Sequence, residues 1–199
     1  LRDKAEIIIA THDGNAVRFE EKNTRAMGRT ARGVRGIRVA ENDEVCGVAL
    51  VEPGKKLVTI TENGYGKLTC FEDFRTMKNR GGKGVSAHNI TEKTGLLASI
   101  ASVDDGDDLM LITQDGTMIR VPVSGIPTYS RTAGGVIVMR LSEGAKIVNF
   151  AKVESEEQLA KKAGAAALEQ RAVGTAAPEK APAEDGEDGE RQAEADDEI

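Results

Sequence analysis

The stretch Arg80-Gly81-Gly82-Lys83-Gly84 joins two cationic side chains to three glycines. That combination lets backbone N–H groups and positive charge close on a phosphate together. It is not a Walker loop, because no Ser or Thr follows the lysine and the first glycine is misplaced. The wider pattern Arg-x-x-x-Gly-Val recurs at Arg29–Val34, Arg80–Val85 and Arg131–Val136, in steps of 51 residues. A turn needs glycine but has no use for arginine. Arg29, Arg80 and Arg131 therefore serve either a repeated structural bond or a repeated anionic ligand. Glu20, Glu21, Glu72 and Asp73 are available for the first option. A second basic series, Arg18, Lys67 and Arg120, has Arg25, Arg75 and Lys78 nearby. Set side by side on a ring, such positions form a cationic stripe suited to a regular polyanion, which points to duplex nucleic acid.

Other chemistry finds little support. Tyr65, Tyr129 and four Phe are scattered, against a single-strand reader that stacks bases. No segment reads as a recognition helix. His12 and His88 have no triad partner in a recognisable frame. The run Asp104-Asp105-Gly106-Asp107-Asp108 lacks the spacing and terminal glutamate of a calcium loop and reads as a charged connection between repeats. Cys46 and Cys70, 24 residues apart, match no zinc or redox spacing and are expected to be free, buried thiols. No catalytic residue, metal site or cofactor site is expected, and no run is long and apolar enough to span a bilayer.

The elements that must carry these loops are strands. Asp13-Gly14, Asn63-Gly64 and Asp115-Gly116 each close an apolar run, a hairpin signal of the type I′ kind. The paired strands are expected at 6–11 with 16–19, 56–61 with 66–70, and 108–113 with 117–121. A third strand in each repeat is expected at 33–39, 85–90 and 136–141, and a fourth at 45–51, 95–102 and 145–153. Four short antiparallel strands per repeat, with almost no helix, make an all-β array of propeller-like blades at about 1–52, 53–103 and 104–153. A ring needs about four to eight blades to close. The chain starts on Leu1, so further blades are expected upstream. A cut array is expected to expose an apolar face and to risk self-association.

The formal net charge of −6 hides an asymmetry. Residues 151–199 hold 6 Lys and Arg against 14 Asp and Glu, leaving 21 against 19 in the repeats. From Gly174 onward almost no large apolar residue occurs, so the 154–199 tail is expected to be mostly disordered, with one short helix possible at 156–172.

The series Val17-Arg18-Phe19, Arg25-Ala26-Met27-Gly28, Gly33-Val34-Arg35-Gly36-Ile37, Asn63-Gly64-Tyr65-Gly66-Lys67 and Gly134-Gly135-Val136-Ile137 resembles the C-terminal domain family of the DNA gyrase A subunit. The likeness runs through every repeat over about residues 5–153. It implies a six-bladed β-pinwheel whose basic rim wraps duplex DNA, of which this chain resembles the last three blades plus the acidic tail. The family's box, Gln-Arg-Arg-Gly-Gly-Lys-Gly, is matched by residues 78–84 at five of seven positions. That box belongs to the family's first blade, so the loop Arg80, Gly81, Gly82, Lys83, Gly84 reads as a degenerate copy. By resemblance, the duplex-binding candidates are Arg18, Arg29, Arg32, Lys67, Lys78, Arg80, Lys83, Arg120 and Arg131. The resemblance further implies a bacterial, cytoplasmic, chromosome-associated topoisomerase of A2B2 stoichiometry. In it a gyrase B subunit joins through the rest of the gyrase A polypeptide. ATP, magnesium and catalysis then belong to other parts of that assembly. The homologous domain of topoisomerase IV, which serves decatenation, and a protein-binding propeller are the alternatives.

A flexible anionic tail tethered to a cationic rim competes with DNA at high effective concentration. Deleting residues 174–199 is expected to tighten duplex binding by about 1 kcal/mol at low salt, with the gain screened away as salt rises. Titrations of both chains at two salt concentrations check this.

Overall fold

The computed structural model describes residues 5–155; the expected tail disorder and its 156–172 helix lie outside them. The chain runs β1 (Glu6–Thr11), β2 (Asn15–Glu20), β3 (Val45–Val51), β4 (Lys56–Thr61), β5 (Tyr65–Cys70), β6 (Thr76–Met77), β7 (Val85–Ser86), β8 (Leu97–Val103), β9 (Asp107–Thr113), β10 (Met118–Pro122), β11 (Val136–Ile137) and β12 (Ile147–Glu154). Helical structure among the described residues is confined to three single turns, at Glu21–Asn23, Phe71–Asp73 and Val123–Gly125, one after each hairpin. The fold is all-β, as the repeats imply.

Each repeat builds the same antiparallel core. The hairpins β1–β2, β4–β5 and β9–β10 are flanked on their first strand by β3, β8 and β12. Each flanking strand carries a register shift at the same place, beside Thr11, Thr61 and Ile147.

The hairpin turns differ from expectation. The Gly14, Gly64 and Gly116 N–H groups donate to the carbonyls of Thr11, Thr61 and Thr113 at 2.9, 3.0 and 3.1 Å. These glycines have φ of 77°, 83° and 82°. Asn42 is the only non-glycine with positive φ among the described residues, so Asp13, Asn63 and Asp115 stay right-handed. The turns are therefore three-residue loops with glycine alone in the left-handed region, not type I′ turns. Such loops close a hairpin through a glycine bulge that keeps the strand twist.

The larger correction concerns the third strands. Residues 33–39 form no strand, and the other two shrink to β7 and β11. Neither joins its own hairpin. β7 pairs antiparallel with β2 of the preceding repeat, Ala16 opposite Val85 and Asn15 opposite Ser86. β11 pairs with β5 in the same way, Val136 opposite Gly66 and Ile137 opposite Tyr65. Further along the same edges, β6 lies parallel to β2, and Thr128 bridges parallel to Leu68. The free edges of the first two hairpins are thus each closed by two short pieces of the next repeat. Sequence pattern reveals that an edge strand exists but not which hairpin receives it. The second sheet is a complete four-stranded blade, β11-β5-β4-β8, while the third has three strands among the described residues.

The shared Gly-Val step now has a physical reason. Gly84 and Gly135 have φ of 86° and 70°, and a Cβ on either would collide with the backbone of Ala16 or Gly66 in the neighbouring strand. Only glycine allows the chain to approach there. The valine that follows enters the ladder.

The cores lie between sheets. Leu57 of β4 packs with Ile8, Ala49, Phe71, Phe74 and Leu97 toward the first repeat. Val58 and Ile60 of the same strand pack with Leu109, Leu111, Ile147 and Phe150 toward the third. β4 is therefore apolar on both faces, as a sandwiched strand must be. On β3 of the first repeat, Val48 and Leu50 are 59% and 41% exposed.

Gly64 and Gly116 share a conformation but not surroundings. A Cβ at Gly64 would strike the Met139 carbonyl, whereas Gly116 faces open space. Gly116→Ala is expected to cost about 1 kcal/mol, and Gly64→Ala roughly 3 kcal/mol or more, in urea unfolding. Equal losses would contradict the inter-repeat contact.

Candidate nucleic-acid interface

The basic residues singled out from sequence divide into two groups. One group is spent on the fold. Arg18 reaches the next repeat, its Nη1 donating to the carbonyls of Phe71 at 2.5 Å and Phe74 at 3.1 Å, while it pairs with Glu6. Arg120 takes the matching position in the third repeat. It pairs with Asp108 at 2.6 Å and donates to the Glu154 carbonyl at 3.0 Å.

Lys67 breaks that series. It stands three residues after its turn glycine, where Arg18 and Arg120 stand four after theirs. A one-residue offset in a strand sends the side chain to the opposite face. Lys67 is fully buried, and its Nζ donates to the carbonyls of Ser130 at 2.7 Å and Arg131 at 2.6 Å. Burial, with the nearby Arg131 charge, lowers its pKa to about 8. Lys67 is corrected from rim cation to internal clamp: no duplex phosphate can reach it.

The repeated arginines are latches too. Arg80 Nη1 donates to the Arg35 carbonyl at 3.1 Å, and Arg131 Nη1 to the Ser86 carbonyl at 2.7 Å, each 45 residues back. Arg80 Nε also binds the Asn23 carbonyl at 3.0 Å, and the Arg131 guanidinium lies 6.0 Å from the Phe74 ring. The repeated structural bond is therefore present at both junctions. Arg29 is exposed and makes no side-chain hydrogen bond among the described residues.

Beside Lys67 lies a second buried group. His88 Nδ1 is 3.0 Å from Thr59 Oγ1, and Nε2 is 3.2 Å from the Gly134 carbonyl. Burial, aided by the Lys67 charge, pushes its pKa down to about 4. The ring is neutral at physiological pH and ties the second blade to the third loop. No sequence signal marked it beyond its being a histidine. Cys46 and Cys70 are free thiols, each half-buried, and burial raises Cys46 to about 12.

The other group is solvent-facing. Arg25, Arg29, Arg32, Arg35, Arg38, Arg75, Lys78 and Lys83 are exposed, and none makes an ion pair or side-chain hydrogen bond among the described residues. All belong to the loops that leave β2 and β5. The Arg-Gly loop of the second repeat is held at both ends, by β6 and β7 on β2. In the middle, Gly81 N–H donates to the Gly36 carbonyl at 2.6 Å and Arg38 N–H to the Gly82 carbonyl at 2.9 Å. The sequence candidates Arg32, Lys78 and Lys83 thus share this surface with Arg35 and Arg38, which sequence reasoning passed over. Their marker was proximity to the first loop, which became legible only once the two loops were seen to pair.

His88 is linked to stability. Its folded pKa lies below the ordinary 6.5, so the unfolded chain binds the proton first as pH falls. Stability is expected to drop by roughly 3 kcal/mol between pH 6.5 and 4 through this residue. Urea unfolding across that range should show a flatter profile for His88→Gln; an unchanged slope would contradict the buried neutral ring.

Comparison with known proteins places this geometry. A family model described as the DNA gyrase C-terminal domain, beta-propeller, matches residues 5–52, 55–104 and 107–154. The DNA gyrase A subunit of Aminobacterium colombiense is 44% identical over 151 residues, covering 76% of this chain and 18% of the relative. That of Staphylococcus epidermidis is 41% identical over 154 residues, covering 76% and 17%. The chain thus spans less than a fifth of the relatives' length. Among solved structures, a DNA gyrase A C-terminal domain aligns with TM-score 0.70 at 23% identity, covering 76% of this chain and 52% of that one. A topoisomerase IV C-terminal domain aligns with TM-score 0.74 at 25% identity, covering 85% and 52%. The three matched segments coincide with the three hairpin units and their flanking strands, and on that ground the chain belongs to the DNA gyrase C-terminal domain family of β-propellers.

Proposed function

We propose that this chain is a duplex-DNA-binding and wrapping module of a gyrase A polypeptide. The observation that carries the reading is the set of exposed, unpaired loop cations, Arg25, Arg29, Arg32, Lys78 and Lys83 among them, on the two loops that leave β2 and β5. Long cationic side chains on neighbouring loops suit phosphate contacts that follow a bent duplex without reading bases. Bending DNA across adjacent blades would present a neighbouring segment for passage with fixed handedness, the step that turns strand passage into negative supercoiling. In this reading the gyrase B polypeptide, ATP and magnesium act through other parts of an A2B2 assembly in the bacterial cytoplasm. No described residue of this chain enters the chemistry. The topoisomerase IV alternative draws on the fold likeness to that enzyme's C-terminal domain. The relatives named above, at 41–44% identity, are gyrase A polypeptides and favour the first reading.

The two groups of cations should separate experimentally. Arg29→Ala, Arg32→Ala and Lys78→Ala together are expected to weaken duplex binding and lower the salt slope by about one per lost contact, with the thermal midpoint unchanged. Arg80→Ala with Arg131→Ala is expected to cost roughly 2 kcal/mol of stability, because carbonyls lose their donors. Fluorescence anisotropy at several salt concentrations, beside thermal unfolding, checks both. A first variant that binds like the parent would overturn the loop-cation reading.

A further inference from the structure

The two junctions between repeats share a backbone and differ in charge. Arg38 N–H donates to Gly82 O at 2.9 Å; 51 residues on, Asn89 N–H donates to Ala133 O at 3.3 Å. Arg80 binds the Arg35 carbonyl at the first junction, and Arg131 binds the Ser86 carbonyl at the second. The same shift relates every pair. It also relates the residues beside these bonds. Arg35, Arg38 and Lys83 border the first junction, and Ser86, Asn89 and Gly134 take their places at the second.

The first junction therefore carries three cations where the second carries none. Arg35, Arg38 and Lys83 are exposed and have no anionic partner among the described residues. Of the acidic residues in the same connection, Asp43 is buried and accepts the N–H groups of Asp13 and Glu44 at 3.0 and 2.9 Å. Glu41 and Glu44 are exposed and pair with none of the three cations. Three like charges held together by paired backbone repel one another unless a polyanion joins them. The loop of the third repeat has Gly134 where the second has Lys83, and its Arg131, like Arg80, is engaged as a latch.

Resting on the duplex-binding reading above, we propose that the seam of Arg35, Arg38 and Lys83 is the principal phosphate grip of this chain, and that the second junction is scaffold. The duplex is then held by the first and second repeats and passes the third loosely, which gives the module a polarity along its array. The seam's occupant is a run of consecutive phosphates on one duplex, the chemistry that three exposed cations on adjoining, hydrogen-bonded backbone select.

The test exchanges the junctions in the whole 199-residue chain. Arg35→Ser, Arg38→Asn and Lys83→Gly give the first junction the residues of the second. Duplex affinity at low salt should fall about tenfold or more, and the magnitude of the salt slope by about two to three. The reverse variant, Asn89→Arg with Gly134→Lys, should raise both affinity and slope. It fits sterically, because a Cβ at Gly134 meets only Thr94 and Asn89, at 3.7 and 3.9 Å. A parent chain that binds duplex in a salt-dependent way, with the triple variant binding equally, would overturn the seam and leave duplex binding standing. A parent chain with no salt-dependent duplex binding would overturn both. If the triple variant fails to fold, the reverse variant decides: no gain in affinity overturns the seam.

Discussion

Everything in this molecule depends on a backbone loan from one repeat to the one before it. A hairpin alone leaves one strand edge unpaired, and unpaired edge groups either bind something or invite aggregation. Here β2 and β5 are closed by segments of the following repeat, with Ala87 N–H donating to Gly14 O at 2.7 Å and Val138 N–H to Gly64 O at 2.8 Å. Neither of these two blades is complete on its own. Stability is therefore carried at junctions, as in other arrays whose units cannot bury their faces alone. Val58 and Leu57, adjacent on one strand, belong to different inter-repeat cores for the same reason.

The loan explains the chemistry of the repeated hexapeptide. Its glycine permits the close crossing, its valine enters the neighbour's ladder, and its arginine caps a carbonyl 45 residues back. Positive charge in these loops thus has two distinct uses. Arg80 and Arg131 are consumed in holding repeats together, as are Arg18 and the buried Lys67. The cations left over are displayed on the loops after β2 and β5, the second of which is fixed at both ends by β6 and β7. Such fixing lowers the entropy that a flexible loop would lose on binding.

Much of the fold was legible from the sequence because hairpins are local. The alternation and glycine turns placed β1, β2, β4, β5, β9 and β10 within a residue or two, and the flanking strands β3, β8 and β12 nearly as well. What was not legible was non-local. The valine runs at 85–90 and 136–141 announce an edge strand, but period-two patterning carries no information about which hairpin accepts it. The face of Lys67 was lost to a one-residue difference in the spacing between turn and cation, an offset that the period of a strand converts into burial. For the site, charge and spacing found the loops but could not sort their cations. Arg80 and Lys83 look alike in sequence, and only the carbonyls of Asn23 and Arg35 distinguish them.

The central claim, that repeats are held by donated strands, is open to a direct measurement. Native-state amide hydrogen exchange should show the N–H groups of Ala87, Leu68, Tyr129 and Val138, all bonded across repeats, protected to nearly the same free energy as the hairpin amides of β4. Fast exchange at these four positions, with β4 still protected, would mean that each hairpin stands alone, and would contradict the account.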